Sequence, residues 1–364
     1  MKEVLGAKVR YVARKLMHPP ASRVPIEVAP RPRGPLVAGE LVQMIDARSN
    51  KYTITLVVGA TFHSHRGQIL HDDIIGRPEG IVINSDRLVE YQVFRPQLDD
   101  YVLSMPRGAA VVYPKDAARI VGLADLGAGS RVLEAGVGSG ALTCSLLRTV
   151  GSHGSVVSIE KRSDFAEVAE ENVCRWFGGY PTSWTVTESD LAVWSVSAWV
   201  NEHGQFDSVI LDMLAPWECL DVAEEAVRPG GALVIYVATT TQLSRTVETL
   251  RLRDVWSEPR AEESLLRTWH LDGLSVRPDH KMNGHTGFLI STRRMAADEI
   301  AMKRKRRPAP GAYGEDYQAP AIEAPAIEVT ERATSTDDRY QEDRYQDDRY
   351  QDDPAQIDPA QDDR

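Results

Sequence analysis

The sequence predicts an α/β fold in which a small β-rich domain precedes a doubly wound, mostly parallel, Rossmann-like sheet. From Arg131 onwards, short apolar runs alternate with helical stretches. These runs lack the polar alternation of half-exposed strands, as expected of strands buried on both faces. Between Leu36 and about Met105, short β-like runs are instead separated by Gly, Asn and Asp, which predicts the smaller β-rich domain.

The chain has 364 residues, of which 42% are hydrophobic, so it is long enough for two domains and a sizeable core. Changes in composition predict four regions. They are an N-terminal extension with a proline-rich linker, a small β-rich domain, a larger α/β domain and a disordered acidic repeat tail, at residues 1–33, 34–105, 106–296 and 297–364.

The net charge of −11 arises in the tail. Residues 308–364 contain 16 acidic and 5 basic side chains, so residues 1–307 carry equal numbers of both signs. Tail segments such as "DDRYQEDRYQDDRYQ" have too few apolar residues to form a core, which predicts disorder. The run "KRKRR" at residues 303–307 is interpreted as a solvated charge cluster, with an RNA-contacting patch as the alternative. Because residues 1–307 have no net charge, the charge of the chain does not exclude a nucleic-acid substrate.

The sequence predicts a cytoplasmic protein without a membrane anchor. Residues 1–16 carry five Lys or Arg and permit an amphipathic helix, although a poorly ordered extension, or Met17 as the true start, is the simpler interpretation. They contain no apolar region typical of a secretory signal. No apolar run approaches the roughly 18–20 residues that cross a bilayer. The three cysteines, Cys144, Cys174 and Cys219, are widely spaced and fit a reducing compartment.

The β-rich region contains four predicted strands, "LVQMID", "YTITLVV", "GIVIN" and "VEYQVF". The α/β region contains five, "RVLEAG", "GSVVSIE", "WTVTESD", "DSVILDM" and "GALVIYVA", with helices between them at 164–177 and 242–252 among others. A final strand, "TGFLISTRR", completes the sheet.

A glycine-rich turn, "VLEAGVGSGALT" at residues 132–143, follows the first strand of the larger sheet. Gly136, Gly138 and Ala141 satisfy the dinucleotide pattern G-x-G-x-x-G/A, and the same turn satisfies the methyltransferase pattern E-x-G-x-G-x-G. The spacing therefore leaves two ligands open, a nicotinamide dinucleotide and S-adenosylmethionine.

Carboxylates at the strand ends favour S-adenosylmethionine. Ligands of open parallel sheets bind beyond the carboxyl ends of the strands. Four successive strands each place an acid there, at Glu134, Glu160, Asp190 and Asp212. A carboxylate at residue 134 would repel the pyrophosphate of a dinucleotide, whereas it suits the cationic end of S-adenosylmethionine. A set of unrelated solvated acids is the alternative.

Each acid has a predicted role. The glycines allow the backbone to approach the methionine end, and Glu160 accepts hydrogen bonds from the ribose hydroxyls. Asp190 binds the adenine amino group, with the backbone of Leu191 beside it. Asp212, in "LDMLAPW", accepts a hydrogen bond from an exocyclic amine and offsets positive charge on a ring nitrogen. Trp217 stacks on a base or, as the favoured interpretation, packs at the sheet edge.

His63, His65, His71, Asp72 and Asp73 lie within eleven residues and include an H-x-H pair that could bind zinc. Arg66 follows His65 directly, so hydrogen bonding within a loop is the favoured interpretation and no metal is predicted.

Several segments together resemble the tRNA (adenine-58-N1) methyltransferases, in the form found in actinobacteria. The resemblance covers about residues 34–294 and depends on an ordered set of motifs. They are "FHSHRGQILHDDIIG", "YVLSMPRG", "YPKDAARIV", "VLEAGVGSGALT", "SDL", "LDMLAPWE", "YVATTTQLSR" and "GHTGFLISTRR". Leu214 stands where many members have a second proline, and Phe165 replaces a polar residue.

The resemblance implies a seven-stranded class I methyltransferase sheet and methyl transfer from S-adenosylmethionine to N1 of adenine 58 in the T-loop of tRNA. It also implies a homotetramer, with Asp212 as the catalytic aspartate and Tyr113 at the mouth of the site. Matching cofactor positions are Leu133, Glu134, Ala135, Gly136, Gly138, Ser139, Gly140, Glu160, Lys161, Phe165, Asp190, Leu191 and Asp212. Candidate tRNA contacts are Arg107, Lys115 and Trp217, with Arg119 beside them. Surface salt bridges are the alternative explanation of all three basic residues.

Adenine N1 is unprotonated at neutral pH, so the reaction requires alignment more than a general base. The adenine must swing out of the folded tRNA to reach the site. Two other functions stay open at this point. One is methylation of a protein isoaspartate on the same fold. The other is a catalytically silent tRNA-binding subunit, which the complete glycine turn and Asp212 disfavour.

Overall fold

The computed structural model describes residues 19–108 and 110–302. The possible helix within residues 1–16, the "KRKRR" run and the acidic repeats from residue 308 lie outside these ranges. In the described part, no helix is both long and apolar enough to span a membrane.

The N-terminal part of the described chain is built from short strands. These are β1 (Pro25–Ile26), β2 (Leu41–Asp46), β3 (Lys51–Thr55), β4 (Thr61–Ser64), β5 (Gly67–Leu70), β6 (Ile81–Asn84) and β7 (Glu90–Phe94). An antiparallel sheet has the order β3-β2-β7-β6, and β4 pairs with β5 as a separate hairpin. Strand β7 alternates strictly, with Tyr91 and Val93 inward, and the Tyr91 ring packs edge-on against Phe62. Strands β4 and β5 occupy a segment for which the sequence predicted no strand.

The second part of the chain alternates helices and strands. Seven helices lie in the described residues, α1 (Leu98–Ser104), α2 (Pro114–Leu123), α3 (Ala141–Val150), α4 (Ser163–Phe177), α5 (Val196–His203), α6 (Leu220–Ala226) and α7 (Thr240–Arg251). The strands are β8 (Arg131–Ala135), β9 (Ser155–Glu160), β10 (Tyr180–Pro181), β11 (Trp184–Glu188), β12 (Phe206–Asp212), β13 (Val227–Val237), β14 (Arg260–Glu262), β15 (Trp269–Asp272), β16 (Ser275–Pro278) and β17 (Phe288–Arg293). Helix α7 begins with a capping box between Thr239 and Gln242.

The larger sheet has seven strands in the order β11-β9-β8-β12-β13-β17-β14. The first five are parallel and β17 is antiparallel, so the predicted mostly parallel, seven-stranded sheet is confirmed. No run of residues predicted β14, which has only three residues. The chain runs outward from β8 to β11 and then returns to the other side of β8. This reversal opens a crevice between the carboxyl ends of β8 and β12, where ligands of such sheets bind.

Helices cover both faces of the sheet, so its central strands are buried on both sides. Along β8, Val132 packs into the core formed with α2, α3 and α4. The next residue, Leu133, packs into the opposite core, to which α5, α6 and α7 contribute. This arrangement explains why the apolar runs lack alternation.

The proline-rich segment predicted as a linker is docked on the larger domain instead. Strand β1 pairs in parallel with β10, and Ala21 N donates to Glu171 Oε1 on α4 at 2.8 Å. Arg23 forms an ion pair with Glu170, and Arg175 donates to Pro19 O. The linker prediction is wrong for residues 19–26, because backbone pairing and acids on α4 hold this segment, which composition alone does not reveal.

Candidate active site

The four predicted acids lie at one edge of the sheet. Strands β11, β9, β8 and β12 are neighbours and parallel, so their carboxyl ends meet. Glu160 and Asp212 are the last residues of β9 and β12, and Glu134 is the penultimate residue of β8. Asp190 follows β11 and begins a short 3-10 turn. The structure thus brings together all four carboxylates that the sequence singled out.

The glycine turn packs directly against the end of β12. Gly136 has φ +86°, and a Cβ there would lie 1.8 Å from the carbonyl oxygen of Asp212. Gly140 also has a positive φ, and its Cβ would crowd Val173 and Ala169 on α4. Side chains at these two positions would separate the turn from β12 and from α4.

Glu134 lies beneath the turn and is buried. Its Oε2 accepts hydrogen bonds from Thr143 Oγ1 at 2.8 Å and Ser158 Oγ at 2.6 Å. Its Oε1 is buried without a partner in the described residues. Burial raises the pKa of Glu134 to about 7, reinforced by the charges of Asp212 and Glu160 and opposed by the two hydroxyl bonds. A cationic or N–H group bound at the turn would satisfy Oε1.

Glu160 organises the centre of the edge. Its Oε2 accepts from Gly138 N at 3.0 Å, and its Oε1 accepts from Arg162 N at 3.1 Å. The sequence predicted a contact with ribose hydroxyls but gave no sign of these two backbone bonds. Each oxygen keeps a second lone pair, so the carboxylate can hold the turn and also accept from a ligand hydroxyl.

Asp190 and Lys161 form a pair at the outer end of the edge. Lys161 Nζ lies 2.6 Å from Asp190 Oδ2, and Ala192 N donates to Asp190 Oδ1 at 3.1 Å. The hydrogen bond from Lys161, followed by that from Ala192, holds the pKa of Asp190 below its usual value. Leu191 is buried behind the pair. Lys161, predicted to bind cofactor, therefore interacts with the acid assigned to the adenine amino group.

Asp212 occupies the crevice and is half-buried. Burial raises the pKa of its carboxyl to about 7, and the charge of Glu160 adds to this effect. Tyr236 lies beside Asp212 in register on β13, and its hydroxyl donates to Thr286 O at 2.6 Å. Burial, followed by the charge of Asp116, raises the pKa of Tyr236, and Asp212 and Tyr113 add smaller contributions. Tyr113 itself precedes α2 as its N-terminal cap residue and is half-buried.

Tyr236 is a residue that the sequence analysis did not single out. The signal was available, because it lies near the end of the strand next to the one that carries Asp212. Tyrosine is not a carboxylic acid, so the series of acids at strand ends did not point to Tyr236.

Two predicted cofactor residues do not reach this edge with their side chains. Leu133 is fully buried in the core, and its backbone lies in the ladder between β9 and β12. Ala135 is likewise buried and paired on both sides. Both side chains point into the core, so a cofactor contact at either position would involve backbone atoms, and the two assignments stay predictions.

A model of the family described as "tRNA methyltransferase complex GCD14 subunit" matches residues 91–281, and one described as "TrmI-like N-terminal" matches residues 34–83. The tRNA (adenine(58)-N(1))-methyltransferase TrmI of Thermus thermophilus is 35% identical over 252 residues, covering 69% of this chain and 96% of its own length. The chain belongs to the tRNA (adenine-58-N1)-methyltransferase family.

Solved structures agree with this membership at the level of the fold. A SAM-dependent O-methyltransferase from Thermotoga maritima aligns with a TM-score of 0.66 and 27% identity, over 74% of this chain and 96% of its own. The tRNA (m1A58) methyltransferase TrmI from Aquifex aeolicus aligns with a TM-score of 0.62 and 24% identity, over 72% of this chain and 99% of its own. The class I methyltransferase fold predicted from the sequence is therefore confirmed.

Among the candidate tRNA contacts, the prediction that Lys115 binds a phosphate has to be corrected. Its ammonium donates to Asp116 Oδ1 at 2.7 Å, Ser264 O at 2.7 Å and Thr286 Oγ1 at 2.6 Å, and its side chain is only 11% exposed. Asp116 is fully buried, so the lysine neutralises an interior charge rather than facing a phosphate. Arg119 is paired with Glu262, in line with the salt-bridge alternative.

Arg107 and Trp217 differ from Lys115. Arg107 is exposed and caps α1 by donating to Leu103 O at 2.7 Å, and it takes part in no ion pair among the described residues. Trp217 is half-buried beside the crevice, with the guanidinium of Arg245 4.2 Å from its ring centroid. Its Nε1 is buried without a partner in the described chain. One face of the Trp217 ring therefore packs against Arg245, in line with the favoured packing interpretation.

The histidine cluster forms loop hydrogen bonds. His71 Nδ1 accepts from Val57 N at 3.0 Å, and Asp72 accepts from Gly59 N. Burial lowers the pKa of His71. Among the described residues, no group of three or more His, Cys, Asp or Glu side chains is arranged to hold a metal ion.

Proposed function

We propose that this chain transfers a methyl group from S-adenosylmethionine to N1 of adenine 58 in the T-loop of tRNA. The observation that carries the proposal is the position of Asp212, at the sheet's switch point and against Gly136. Family membership supports the same reaction, since the Thermus thermophilus relative is named for it. These relatives do not favour the isoaspartate alternative.

The strand-end residues fit S-adenosylmethionine. The buried, unpartnered Oε1 of Glu134 suits a donor from the cationic amino-acid end, and the absence of side chains at Gly136 and Gly140 leaves the turn close to the crevice. Glu160 would accept from the ribose hydroxyls, and Asp190 from the adenine amino group. Ser139 and Phe165 would complete this site. When bound, the cofactor supplies an electrophilic methyl group on a sulfonium.

The chain's own residues would act mainly by alignment and electrostatics. Adenine N1 carries a lone pair at neutral pH, so no base is needed to expose it. Asp212 would accept a hydrogen bond from the 6-amino group, which orients N1 and favours the cationic product ring. Tyr113 and Tyr236, which share the environment of Asp212, would form the wall of the adenine pocket.

tRNA would approach from the side of Arg107 and Trp217. Arg107 is exposed and without an acidic partner in the described chain, so its charge is available for a phosphate. Trp217 would pack beneath the base while Arg245 covers one face of its ring. We expect the reaction in the cytoplasm, consistent with three buried, unpaired cysteines.

We also propose that the enzyme is a homotetramer. Strands β15 and β16 form an isolated hairpin with exposed apolar side chains, since Leu271 is 72% exposed and Leu274 fully so. A two-stranded hairpin is marginally stable unless another surface packs on it. Light scattering should give four chains per particle, and Leu271→Glu with Leu274→Glu should give smaller particles. Unchanged particles in that double variant would contradict this role of the hairpin.

The decisive experiment maps the transferred methyl group. Unmodified tRNA transcripts are incubated with the protein and labelled S-adenosylmethionine, and reverse transcription then locates the modified base. A stop at adenine 58 is expected, and a transcript with adenine 58 replaced by guanosine should accept no label. Labelling of isoaspartyl peptides without labelling of tRNA would overturn the proposal.

A further inference from the structure

A buried asparagine links the glycine turn to the loop that carries Arg107. Asn172 lies on α4 and is fully buried. Its Nδ2 donates to Ser139 O in the turn and to Pro106 O in the loop, both at 2.9 Å. One amide group therefore holds two segments that are more than 30 residues apart in sequence.

Other contacts join the same two segments. Gly108 N donates to Ser139 Oγ at 3.2 Å. A Cβ on Gly108 would lie 3.0 Å from Phe165, and the guanidinium of Arg162 lies 3.2 Å from the ring centroid of Phe165. The loop at residues 106–108 thus packs on the turn and on a predicted cofactor residue, and it cannot shift without disturbing them.

The bonding of Asn172 is more specific than packing requires. Both protons of its amide are used on backbone carbonyls, whereas its Oδ1 is buried without a partner in the described residues. An apolar residue would fill the same space without that unpaired oxygen. Buried polar groups that are only partly satisfied call for an explanation beyond stability. The explanation offered by the contacts is the link itself.

We propose that Asn172 is a positioning residue that couples cofactor binding at the glycine turn to tRNA binding at the loop of residues 106–108. The proposal rests on the proposed function, since the loop carries the candidate phosphate contact Arg107. Cofactor binding that orders the turn also orders this loop through the amide of Asn172. Because coupling is reciprocal, bound tRNA must strengthen cofactor binding by the same factor.

The test compares binding of S-adenosylhomocysteine to the full chain with and without saturating unmodified tRNA. In the wild type, we expect tRNA to lower the dissociation constant about tenfold, within the usual range of coupling between sites. In Asn172→Ala, we expect a change of less than about twofold, whatever the affinity in the absence of tRNA. An equal effect of tRNA in wild type and variant, or no effect in the wild type, would overturn the coupling.

Tyr101→Phe is the matched control. The Tyr101 hydroxyl donates to Asn172 O at 2.7 Å in the same buried region, but it does not touch the two linking bonds. This variant should lose stability and keep the tenfold effect, whereas a merely structural role of Asn172 would make both variants behave alike. If Asn172→Ala does not fold, Asn172→Leu, which fills the same space without the two linking bonds, should likewise leave an effect of less than about twofold. An undiminished effect in Asn172→Leu would then contradict the proposal.

The mapped methyl position separates the two possible failures. A wild type that methylates adenine 58 without coupling overturns only the role of Asn172. A wild type that does not methylate tRNA overturns the proposed function, and the coupling falls with it.

Discussion

The proposed cofactor side of the crevice, at Glu160 and Asp190, and the proposed substrate side, at Lys115 and Arg107, differ in how their charged residues are used. On the cofactor side, Glu160 and Asp190 lie at strand ends as their positions in the sequence require. On the substrate side, Lys115 is bonded into the interior while Arg107 stays exposed. Both cations looked equivalent in the sequence. The backbone of the sheet fixes the positions of residues at strand ends. Whether a basic residue outside the sheet is exposed or paired depends on which acid packs against it in the folded chain.

The largest effect is expected from Asp212→Asn. An amide cannot carry the charge that offsets the cationic product, so we expect kcat to fall by about 10²–10³. The dissociation constant of S-adenosylmethionine should stay within a few-fold, because the other strand-end carboxylates proposed to bind the cofactor are unchanged. Single-turnover kinetics on tRNA and calorimetry measure the two quantities. Wild-type turnover in this variant would show that Asp212 has no part in the mechanism. It would also contradict the proposal that strand-end acids form the site.

Lys115→Ala should destabilise the protein rather than weaken tRNA binding selectively. The substitution leaves the fully buried Asp116 without its ion-pair partner, which costs about 3–5 kcal/mol. Urea denaturation measures this loss. The double variant Lys115→Met with Asp116→Leu is the control and should recover most of the stability, since it removes both charges. Full stability in Lys115→Ala would contradict the structural role of this lysine and favour its alternative role as a tRNA contact.

The pH dependence should report the raised pKa of Asp212. Since its pKa is about 7 and the carboxylate is the active form, kcat/KM should rise about tenfold per pH unit below 7 and level off above it. The same shift means that ionising Asp212 costs free energy in the folded state. The free energy of unfolding therefore decreases as the pH rises from about 4 to 7. Asp212→Asn should therefore be more stable than wild type at pH 8 and equally stable near pH 4. A flat rate profile between pH 5.5 and 8 would contradict the assignment.

Arg107→Ala should have the smallest effect. Loss of one exposed phosphate contact raises KM for tRNA by about two- to fivefold and reduces the salt dependence of binding by about one ion. Stability should change little, in contrast to Lys115→Ala. Arg77→Ala, on the N-terminal part of the chain, serves as a charge-matched control. An unchanged salt dependence in Arg107→Ala would mean that this side chain only caps α1.

The sequence predicted the fold well because its signals are local. Unbroken apolar runs such as Val132 and Leu133 require burial on both faces, and this alone implies a sheet between two helical layers. The short strand β14, the hairpin of β15 and β16, and β4 with β5 had no comparable signal. Proline-rich composition predicted a linker that includes residues 19–26, yet acids on α4 hold this segment in place.

What the sequence determined by itself was the series of acids at successive strand ends, because strand order and the period of the backbone bring them to one edge. Only the tertiary structure decided their environment. It buried Glu134 under the turn, pressed Gly136 against Asp212, and joined Pro106 to Ser139 through Asn172. These outcomes depend on which distant atoms share a low-dielectric interior, and burial and partner identity are properties of the packed chain, beyond any single segment.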